Sequence, residues 1–413
     1  MPLLSSPLVL FIVQAFLIIS ISRLLGLVTA RMRQPMVVAE IIAGILLGPS
    51  LLGAAAPSVK AALFPATSFG ALNLMSQIGL ILFMFMIGLK LDPSFLHGRL
   101  RTSIAISHAS IVLPFMLGGA LAVFLYPSLA PAQVAFTPFA LFMGVAMSIT
   151  AFPVLARILV ELGLMHSKAG AITISCAAVD DVTAWCVLAV VVSIARATGI
   201  AGAIQTVVLA MLYIAVMVAV VRPWLARLEA PADPGGSAVT QGRFALVVLM
   251  VLASSWLTEL IGIHALFGAF LFGAIVPKGG KLAAALIQKI EDVVVVLFLP
   301  LFFAYSGLRT ELGLLDSTRD WLICALIIIA ACAGKFGGSA IAARLTGLSW
   351  REASIIGVLM NTRGLMELIV LNVGLDLGVI STRLFTMMVV MALVTTFMTT
   401  PLIRWLTSKT ESR

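Results

Sequence analysis

Two adjacent carboxylates, Asp180 and Asp181, lie in the middle of a long apolar segment of the sequence. The nearest charged residues are Lys168 before them and Arg196 after them. If this segment is a membrane helix, which rises about 1.5 Å per residue, both aspartates lie near the middle of the bilayer. Ionisable side chains at that depth are costly and typically mark an ion or proton pathway.

Three more charged side chains interrupt apolar segments: Lys335, Arg363 and Glu367. Opposite charges at one depth tend to pair, because an uncompensated buried charge is strongly unfavourable. Glu367 follows Arg363 by one helical turn, so we expect it to neutralise the arginine. Neighbouring helical residues point about 100° apart, so one aspartate can pair with Lys335 while the other faces a cavity. The alternative is a static network of Asp180, Asp181 and Lys335.

A buried carboxylate of this kind can bind either a proton or a small cation. Partial dehydration raises the proton affinity of a carboxylate. Nearby carbonyl and hydroxyl oxygens are hard ligands that suit a small cation. Proton and cation then compete for one anion. If the site crosses between the two sides of the membrane only when a proton or a cation is bound, each cation that crosses one way must be exchanged for protons that cross the other way.

Two predicted membrane segments carry interruptions that favour broken helices. A proline inside a helix removes one backbone donor and frees the carbonyl one turn earlier. Broken helices at membrane depth occur where they are buried in protein or line a watery cavity, and their free ends can coordinate ions. For the first segment alone, an ordinary proline kink is the alternative. The interruptions comprise Ser148, Thr150, Ala151, Phe152 and Pro153 in the first segment, and Asn361, Thr362, Arg363 and Gly364 in the second.

The composition is that of an integral membrane protein. The chain has 413 residues, of which 62% are hydrophobic and 10% are charged, far from the balance of a soluble domain. Apolar runs of about 20 residues fill residues 1–413 as a single transmembrane domain. We therefore predict an all-α polytopic fold with about 13 transmembrane helices, which start near residues 7, 35, 68, 102, 134, 168, 202, 241, 263, 285, 320, 351 and 381.

The distribution of the basic residues behind the net charge of +9 indicates how the chain is oriented in the membrane, and does not indicate a nucleic-acid partner. The basic residues form small groups between the apolar runs, without a basic domain, so nucleic-acid binding is not expected. Of the 26 Lys and Arg residues, 19 fall on one side of the predicted membrane and five on the other. Because positive charge concentrates on the cytoplasmic side, the N-terminus is predicted outside and the C-terminus inside.

Three pairs of similar segments recur in the same order in the two halves of the chain. Seven predicted spans separate each pair, so the second copy enters the membrane from the opposite side, as in the inverted repeats of secondary transporters. We predict a first repeat over 1–196, a linking span and polar cytoplasmic loop over 197–242, and a second repeat over 243–413. The pairs are AGILLGP from Ala43 with FGAFLFGAIVP from Phe267, GLKLDPSFL from Gly88 with GLRTELGLL from Gly307, and GVAMSIT from Gly144 with GVLMNTR from Gly357.

The sequence also resembles a known superfamily along nearly its whole length. The motifs that carry the resemblance are QPMVVAEIIAGILLGPSLLG from Gln34, GLILFMFMIGLKLDPSFL from Gly79, SITAFPVLARIL from Ser148, AAVDDVTAW from Ala177 and NTRGLMELIVLNVG from Asn361. They are similar to those of the monovalent cation:proton antiporters, in the branch of the Nap, Ger and Kef systems and the plant cation/proton exchangers. The resemblance implies a sodium/proton antiporter-like fold with crossed discontinuous helices, an elevator-like movement and a homodimer in the cell membrane.

The resemblance also implies roles for individual residues. Asp181 matches the essential carboxylate that binds the transported cation or the proton, and Asp180 matches the partner of the lysine at Lys335. Thr150 matches a cation ligand at the first break. Na⁺ or K⁺ and protons would be the transported ions, with no cofactor and no resident metal. The segment from Asn361 is closer to the plant exchangers than to the Kef systems, and the chain ends soon after Arg404, so a cytoplasmic regulatory domain is not expected.

Three alternatives remain at this point. The chain could be a Kef-like potassium efflux pathway, or a sodium-coupled symporter of organic anions with a similar inverted-repeat fold. An intramembrane aspartyl protease also uses two acids, but these usually come from separate helices and share a proton across a cleft. Asp180 and Asp181 are consecutive on one predicted helix, and we expect no enzyme activity.

Overall fold

The computed structural model describes residues 6–32, 34–90, 100–164, 167–196, 200–228, 240–277 and 281–408. These residues form helices and the turns between them, without a strand. Up to residue 228 the helices are α1 (Pro7–Arg31), α2 (Met36–Leu47), α3 (Leu52–Ala55), α4 (Pro57–Leu63), α5 (Phe69–Lys90), α6 (Leu100–Leu129), α7 (Phe136–Ser148), α8 (Phe152–Glu161), α9 (Lys168–Arg196), α10 (Ile200–Val216) and α11 (Arg222–Leu228).

The later part of the chain continues in the same way. Turns of π-helix join α-helical pieces into longer segments at Met217–Val221, Val294–Phe298 and Ala333–Gly337. The helices are α12 (Gln241–Ile261), α13 (Ala265–Ile275), α14 (Lys281–Val293), α15 (Leu299–Leu308), α16 (Thr318–Cys332), α17 (Gly338–Leu345), α18 (Trp350–Met360), α19 (Leu365–Asp376) and α20 (Thr382–Ser408).

The all-helical architecture follows from the apolar composition. A membrane offers no hydrogen-bond partners, so a spanning backbone satisfies its own polar groups within a helix. In the described ranges, nine helical segments are long and apolar enough to cross a membrane, while α7 and α13 are shorter apolar helices. The polytopic helical fold agrees with the sequence. The number of about 13 spans, with the N-terminus outside and the C-terminus inside, stays a prediction.

The chain divides into two compact units, each built from non-contiguous segments. The first contains Met1–Phe69, Ser94–Leu188 and Phe303–Arg413, and the second contains Gly70–Pro93 and Ala189–Phe302. The first unit contains both aspartates and both predicted interruptions. The assignment of repeats to 1–196 and 243–413, joined by 197–242, stays a prediction, and residues 197–199 and 229–239 of the joining segment lie outside the described ranges.

In the first unit, α2 and α15 approach each other through glycines. A Cβ atom at Gly44 would collide with the backbone of Ala304, and one at Gly307 would collide with the carbonyl oxygen of Ile41. Because neither glycine has a side chain, the two backbones can lie in direct contact, as membrane helices with small residues at their interfaces do.

The second unit contains a crossing of the same kind between α5 and α13. A Cβ atom at Gly88 would meet the carbonyl oxygen of Phe270, and one at Gly273 would meet that of Phe85. Each crossing therefore joins one copy of the AGILLGP-like segment to one copy of the GLKLDP-like segment. An inverted repeat predicts this reciprocal arrangement.

Replacing Gly44 with leucine is expected to destabilise the first unit. The new side chain would push against the backbone of α15, and overpacking of this kind typically costs about 1–3 kcal/mol. Thermal unfolding of the purified protein in detergent measures the loss as a lower Tm. Gly70→Ala is the matched control, because a Cβ atom there meets nothing within 4 Å. Equal Tm values for Gly44→Leu and the wild-type chain would contradict the close approach.

Candidate functional site

Two helices of the first unit are broken, and the breaks are joined by a backbone hydrogen bond. Helix α7 ends at Ser148 and α8 begins at Phe152, while α18 ends at Met360 and α19 begins at Leu365. Between them, the backbone N–H of Ala151 donates to the carbonyl oxygen of Thr362 at 3.0 Å. The two interruptions therefore lie side by side, as crossed discontinuous helices require.

Glycine permits the sharp turn of the second break. Gly364 has φ of +153°, a conformation that residues with a side chain adopt only with strain. Its carbonyl oxygen accepts the N–H of Leu368 at 3.0 Å, so it begins the hydrogen bonding of α19. The hydroxyl of Thr396 also donates to the carbonyl oxygen of Arg363 at 2.5 Å. Neighbouring elements thus satisfy the backbone that the break exposes, as burial demands.

Asp180 is buried with only 1% of its surface exposed, and four donors surround its carboxylate. The Ser107 hydroxyl donates to Oδ1 at 2.5 Å. The Ser110 and Thr150 hydroxyls and the Lys335 ammonium lie 2.6, 2.9 and 3.0 Å from Oδ2. Lys335 is also fully buried. A charge removed from water requires a counter-charge and hydrogen bonds, and Asp180 has both.

Three elements besides α9 supply these donors. Ser107 and Ser110 lie three residues apart on α6, so their side chains share one face of that helix. Lys335 lies in the π-helical turn that joins α16 to α17, and such turns are frequent at functional sites. Thr150 lies in the first break, and its hydroxyl is also 3.1 Å from the carbonyl oxygen of Met360. The cluster therefore connects α6, α9, the lysine turn and both breaks.

Asp181 has the opposite environment. It is 2% exposed, and neither of its carboxylate oxygens has a hydrogen-bond partner among the described residues. The backbone amide of Phe152, the first residue of α8, lies close enough to interact electrostatically without completing a hydrogen bond. A buried carboxylate without a partner is strongly destabilised. Binding a proton or a cation would remove that penalty.

Arg363 and Glu367 form a second buried ion pair. The distance from Nη1 of Arg363 to Oε2 of Glu367 is 2.6 Å, and both side chains are fully buried. The guanidinium also donates from Nη1 to the carbonyl oxygen of Ala146 at 3.0 Å and from Nη2 to that of Met147 at 2.6 Å. These carbonyls belong to the last turn of α7, where the backbone has no partners of its own. Arg363 therefore caps the first broken helix from the second break.

The other residues that the sequence singled out have local contacts. The Ser148 hydroxyl donates to the carbonyl oxygens of Gly144 and Ile111, at 2.6 and 3.0 Å. Asn361 places its amide nitrogen 3.4 Å from the sulfur of Cys332. The hydroxyl of Thr362 lies 3.3 Å from that of Thr399, and Pro153 lies in the first turn of α8.

Two features of the site were not predicted from the sequence. Ser107 and Ser110 were not identified, although serines three and four residues apart on an apolar span, beginning with Ser103, are a usable signal. We also expected the free carbonyls of the broken ends to be available to an ion. At Ala146 and Met147 these carbonyls instead accept hydrogen bonds from Arg363.

Removing the serine donors is expected to destabilise the cluster. A hydrogen bond to a charged group contributes about 1.5–3 kcal/mol, so Ser107→Ala and Ser110→Ala should each lower the Tm in detergent. Ser128→Ala is the control on the same helix, because among the described residues that hydroxyl bonds only to the carbonyl oxygen of Leu125, at 3.3 Å. A Tm for Ser110→Ala no lower than that of the control would show that the hydroxyl does not stabilise the carboxylate.

Comparison with known proteins matches the sequence of the chain, along most of its length, to one family. The family model described as "Sodium/hydrogen exchanger, transmembrane" matches residues 16–409. A Na(+)/H(+) antiporter, NhaS4, of Synechocystis is 47% identical over 400 residues, which are 97% of both chains. Cation/H(+) antiporter 17 of Arabidopsis thaliana is 42% identical over 95% of this chain, and K(+)/H(+) antiporter 1 of Saccharomyces cerevisiae is 36% identical over 96% of it.

Two of these relatives are longer than this chain, and its fold matches a solved structure. The chain covers 48% of the Arabidopsis protein and 46% of the yeast protein, so it spans about half the length of these two relatives. The solved structure of the sodium proton antiporter MjNhaP1 from Methanocaldococcus jannaschii aligns over 97% of both chains, with a TM-score of 0.68 and 13% identity. At that identity the likeness shows the fold alone. By family model and by sequence identity, this multi-pass membrane chain belongs to the sodium/hydrogen exchanger family, within the monovalent cation:proton antiporters.

Proposed function

We propose that this chain exchanges a monovalent cation, Na⁺ or K⁺, for protons, and that both ions bind in turn to Asp181. The carboxylate faces the two sides of the membrane alternately, by an elevator-like movement of the core that bears it. The assembly is a homodimer in the cell membrane. The bare carboxylate does not cross, because moving an uncompensated charge through the apolar region is too costly.

The contrast between the two aspartates carries this proposal. Asp180 has four donors within 3.0 Å, whereas Asp181 has no hydrogen-bond partner in the described part of the chain. The oxygens of Asp180 already accept four hydrogen bonds and are poorly available to a cation, whereas both oxygens of Asp181 are available. Asp180 and Lys335 therefore act as a structural pair that keeps α9 in place, and Asp181 acts as the exchanging group.

Thr150 is proposed as a further cation ligand at the first break. Its hydroxyl donates to Asp180, and the lone pairs of the same oxygen can contact a cation at the neighbouring Asp181. Hydroxyl and carbonyl oxygens are the ligands that alkali cations share, so this ligand set does not select between Na⁺ and K⁺. One relative is a Na(+)/H(+) antiporter and another is a K(+)/H(+) antiporter, so both ions are candidates here.

Proteoliposomes loaded with acidic buffer and a quenched pH dye test the exchange directly. Adding Na⁺, K⁺ or Li⁺ outside should relieve the quench with at least one of them, because each entering cation releases a proton. A Kef-like efflux pathway would move K⁺ without moving protons. A coupled symporter would move Na⁺ only with an organic anion present. No change in dye signal with any of the three cations would refute the proposal.

A further inference from the structure

The guanidinium of Arg363 lies in a setting that resembles a cation site. Three oxygen atoms contact it: the carbonyl oxygens of Ala146 and Met147 and the Oε2 atom of Glu367, at 2.6–3.0 Å. Carbonyl and carboxylate oxygens are the ligands that hard cations use in proteins. The side chains of Arg363 and Glu367 are both fully buried, so water does not replace these contacts.

The charges at this place require a positive group. The last turn of α7 carries the partial negative charge of a helix C-terminus, and Glu367 adds a full negative charge. A buried anion of this kind is strongly unfavourable without compensation. The guanidinium supplies the compensating charge from within the chain.

Arg363 and Glu367 each keep one polar atom that forms no hydrogen bond with the described residues. Nε of Arg363 and Oε1 of Glu367 are buried, and neither has a hydrogen-bond partner among the described residues. An arginine that serves only a carboxylate usually forms two parallel hydrogen bonds to its two oxygens. Here the guanidinium instead donates to two carbonyl oxygens at the end of α7 and to only one oxygen of Glu367. Its orientation is therefore set by the helix carbonyls. The second carboxylate oxygen remains as a fourth potential ligand.

We propose that Arg363 is a tethered cation, which permanently fills a second monovalent-cation site formed by the Glu367 carboxylate and the carbonyl oxygens of Ala146 and Met147. At the crossing of the two broken helices, the guanidinium supplies the positive charge that a bound ion would otherwise supply. Asp181 is thereby left as the carboxylate that exchanges ions. This inference does not depend on Asp181 being the transport site, because it concerns binding at a different carboxylate.

A variant without the guanidinium should bind an alkali cation in its place. We would measure Tm in detergent against NaCl and KCl, with choline chloride at equal ionic strength, for Asp181→Asn combined with Arg363→Ala. The Asp181→Asn change removes any cation effect at the proposed transport site. We expect a saturable rise of about 2 °C or more with at least one alkali cation and none with choline, because a ligand that binds the folded state stabilises it.

Two matched controls decide whether Glu367 is the ligand. The single variant Asp181→Asn, which keeps the guanidinium, should show no alkali-specific rise. The triple variant that adds Glu367→Gln should lose the rise, because the carboxylate is gone while the cavity remains. If Asp181→Asn with Arg363→Ala shows no alkali-specific rise, or if the triple variant responds equally, the proposal is wrong and Arg363 only caps α7.

Folding itself gives a second test. If the alanine variant cannot be purified, Arg363→Met, which keeps the apolar bulk of the side chain, replaces it in the same measurements. The proposal predicts that concentrated NaCl or KCl restores recovery of these variants and choline chloride does not. Failure of both variants to be recovered in any salt would contradict it. A cation response of the single Asp181→Asn variant would count against the proposed function. The site at Glu367 would then be judged by whether Glu367→Gln removes the additional rise of the double variant.

Discussion

Replacing Asp181 with asparagine is expected to abolish cation-driven proton movement in proteoliposomes. The amide can neither release a proton nor compensate a cation. Losing a buried charge partner costs about 3–5 kcal/mol, which corresponds to a loss of roughly a hundredfold or more in cation affinity. The Tm should not fall, because Asp181 has no hydrogen-bond partner within the described ranges.

The control for this experiment is Glu291→Gln. Glu291 pairs with Lys90 at 2.6 Å in a partly exposed ion pair of the second unit, and such pairs contribute little to stability. That variant should keep both its Tm and its exchange rate. If Asp181→Asn exchanged ions at the wild-type rate, Asp181 would not be the carrier.

The second large effect is expected at Lys335. Replacing it with alanine leaves the Asp180 carboxylate buried without its counter-charge, although the hydroxyls of Ser107, Ser110 and Thr150 remain. Removing one partner of a buried pair destabilises by about 3–5 kcal/mol. We expect a strongly lowered Tm in detergent, together with a loss of transport that follows the loss of fold.

A double substitution separates charge from packing at this pair. Lys335→Met combined with Asp180→Asn removes both charges while keeping most of the side-chain volume. Replacing a buried pair by neutral groups is often tolerated, so this variant should be more stable than Lys335→Ala. If Lys335→Ala were as stable as the wild-type chain, the ion pair would not hold α9 in place.

The positions of the buried charges were largely predictable from the sequence. Apolar segments fix the depth of each charged side chain, and charges at one depth must be compensated. The spacing of Arg363 and Glu367 predicts their contact, because residues one turn apart on a helix are neighbours. Depth alone did not decide which aspartate contacts Lys335. That assignment came from the family resemblance, since it depends on which helices lie beside α9.

The serine donors and the arginine cap depend on tertiary structure. Ser107 lies 73 residues from Asp180, and Arg363 lies 216 residues from Met147. Polar residues in a membrane helix also bond to their own backbone, as Ser148 does to Gly144, so their presence does not reveal a distant partner. The contact of two breaks was expected from the resemblance. The backbone hydrogen bond that joins them depends on how the two broken helices pack together, which the sequence does not specify.

The helices, like the site, were predictable from the sequence only in part. Hydropathy identifies long apolar spans reliably, because the bilayer sets their length. It does not separate a continuous span from two half-helices, and it gives no sign of the π-helical turn that contains Lys335. Proline and glycine marked the interruptions near residues 150 and 363, because each changes what the backbone can do locally.

If a proton and a cation compete for Asp181, cation binding must release a proton, and this release can be measured. Purified protein in weakly buffered detergent solution, with a pH indicator, is titrated with NaCl or KCl and with choline chloride as the control. We expect saturable acidification by the transported cation in the wild-type chain and none in Asp181→Asn. Equal acidification of the two proteins would contradict it.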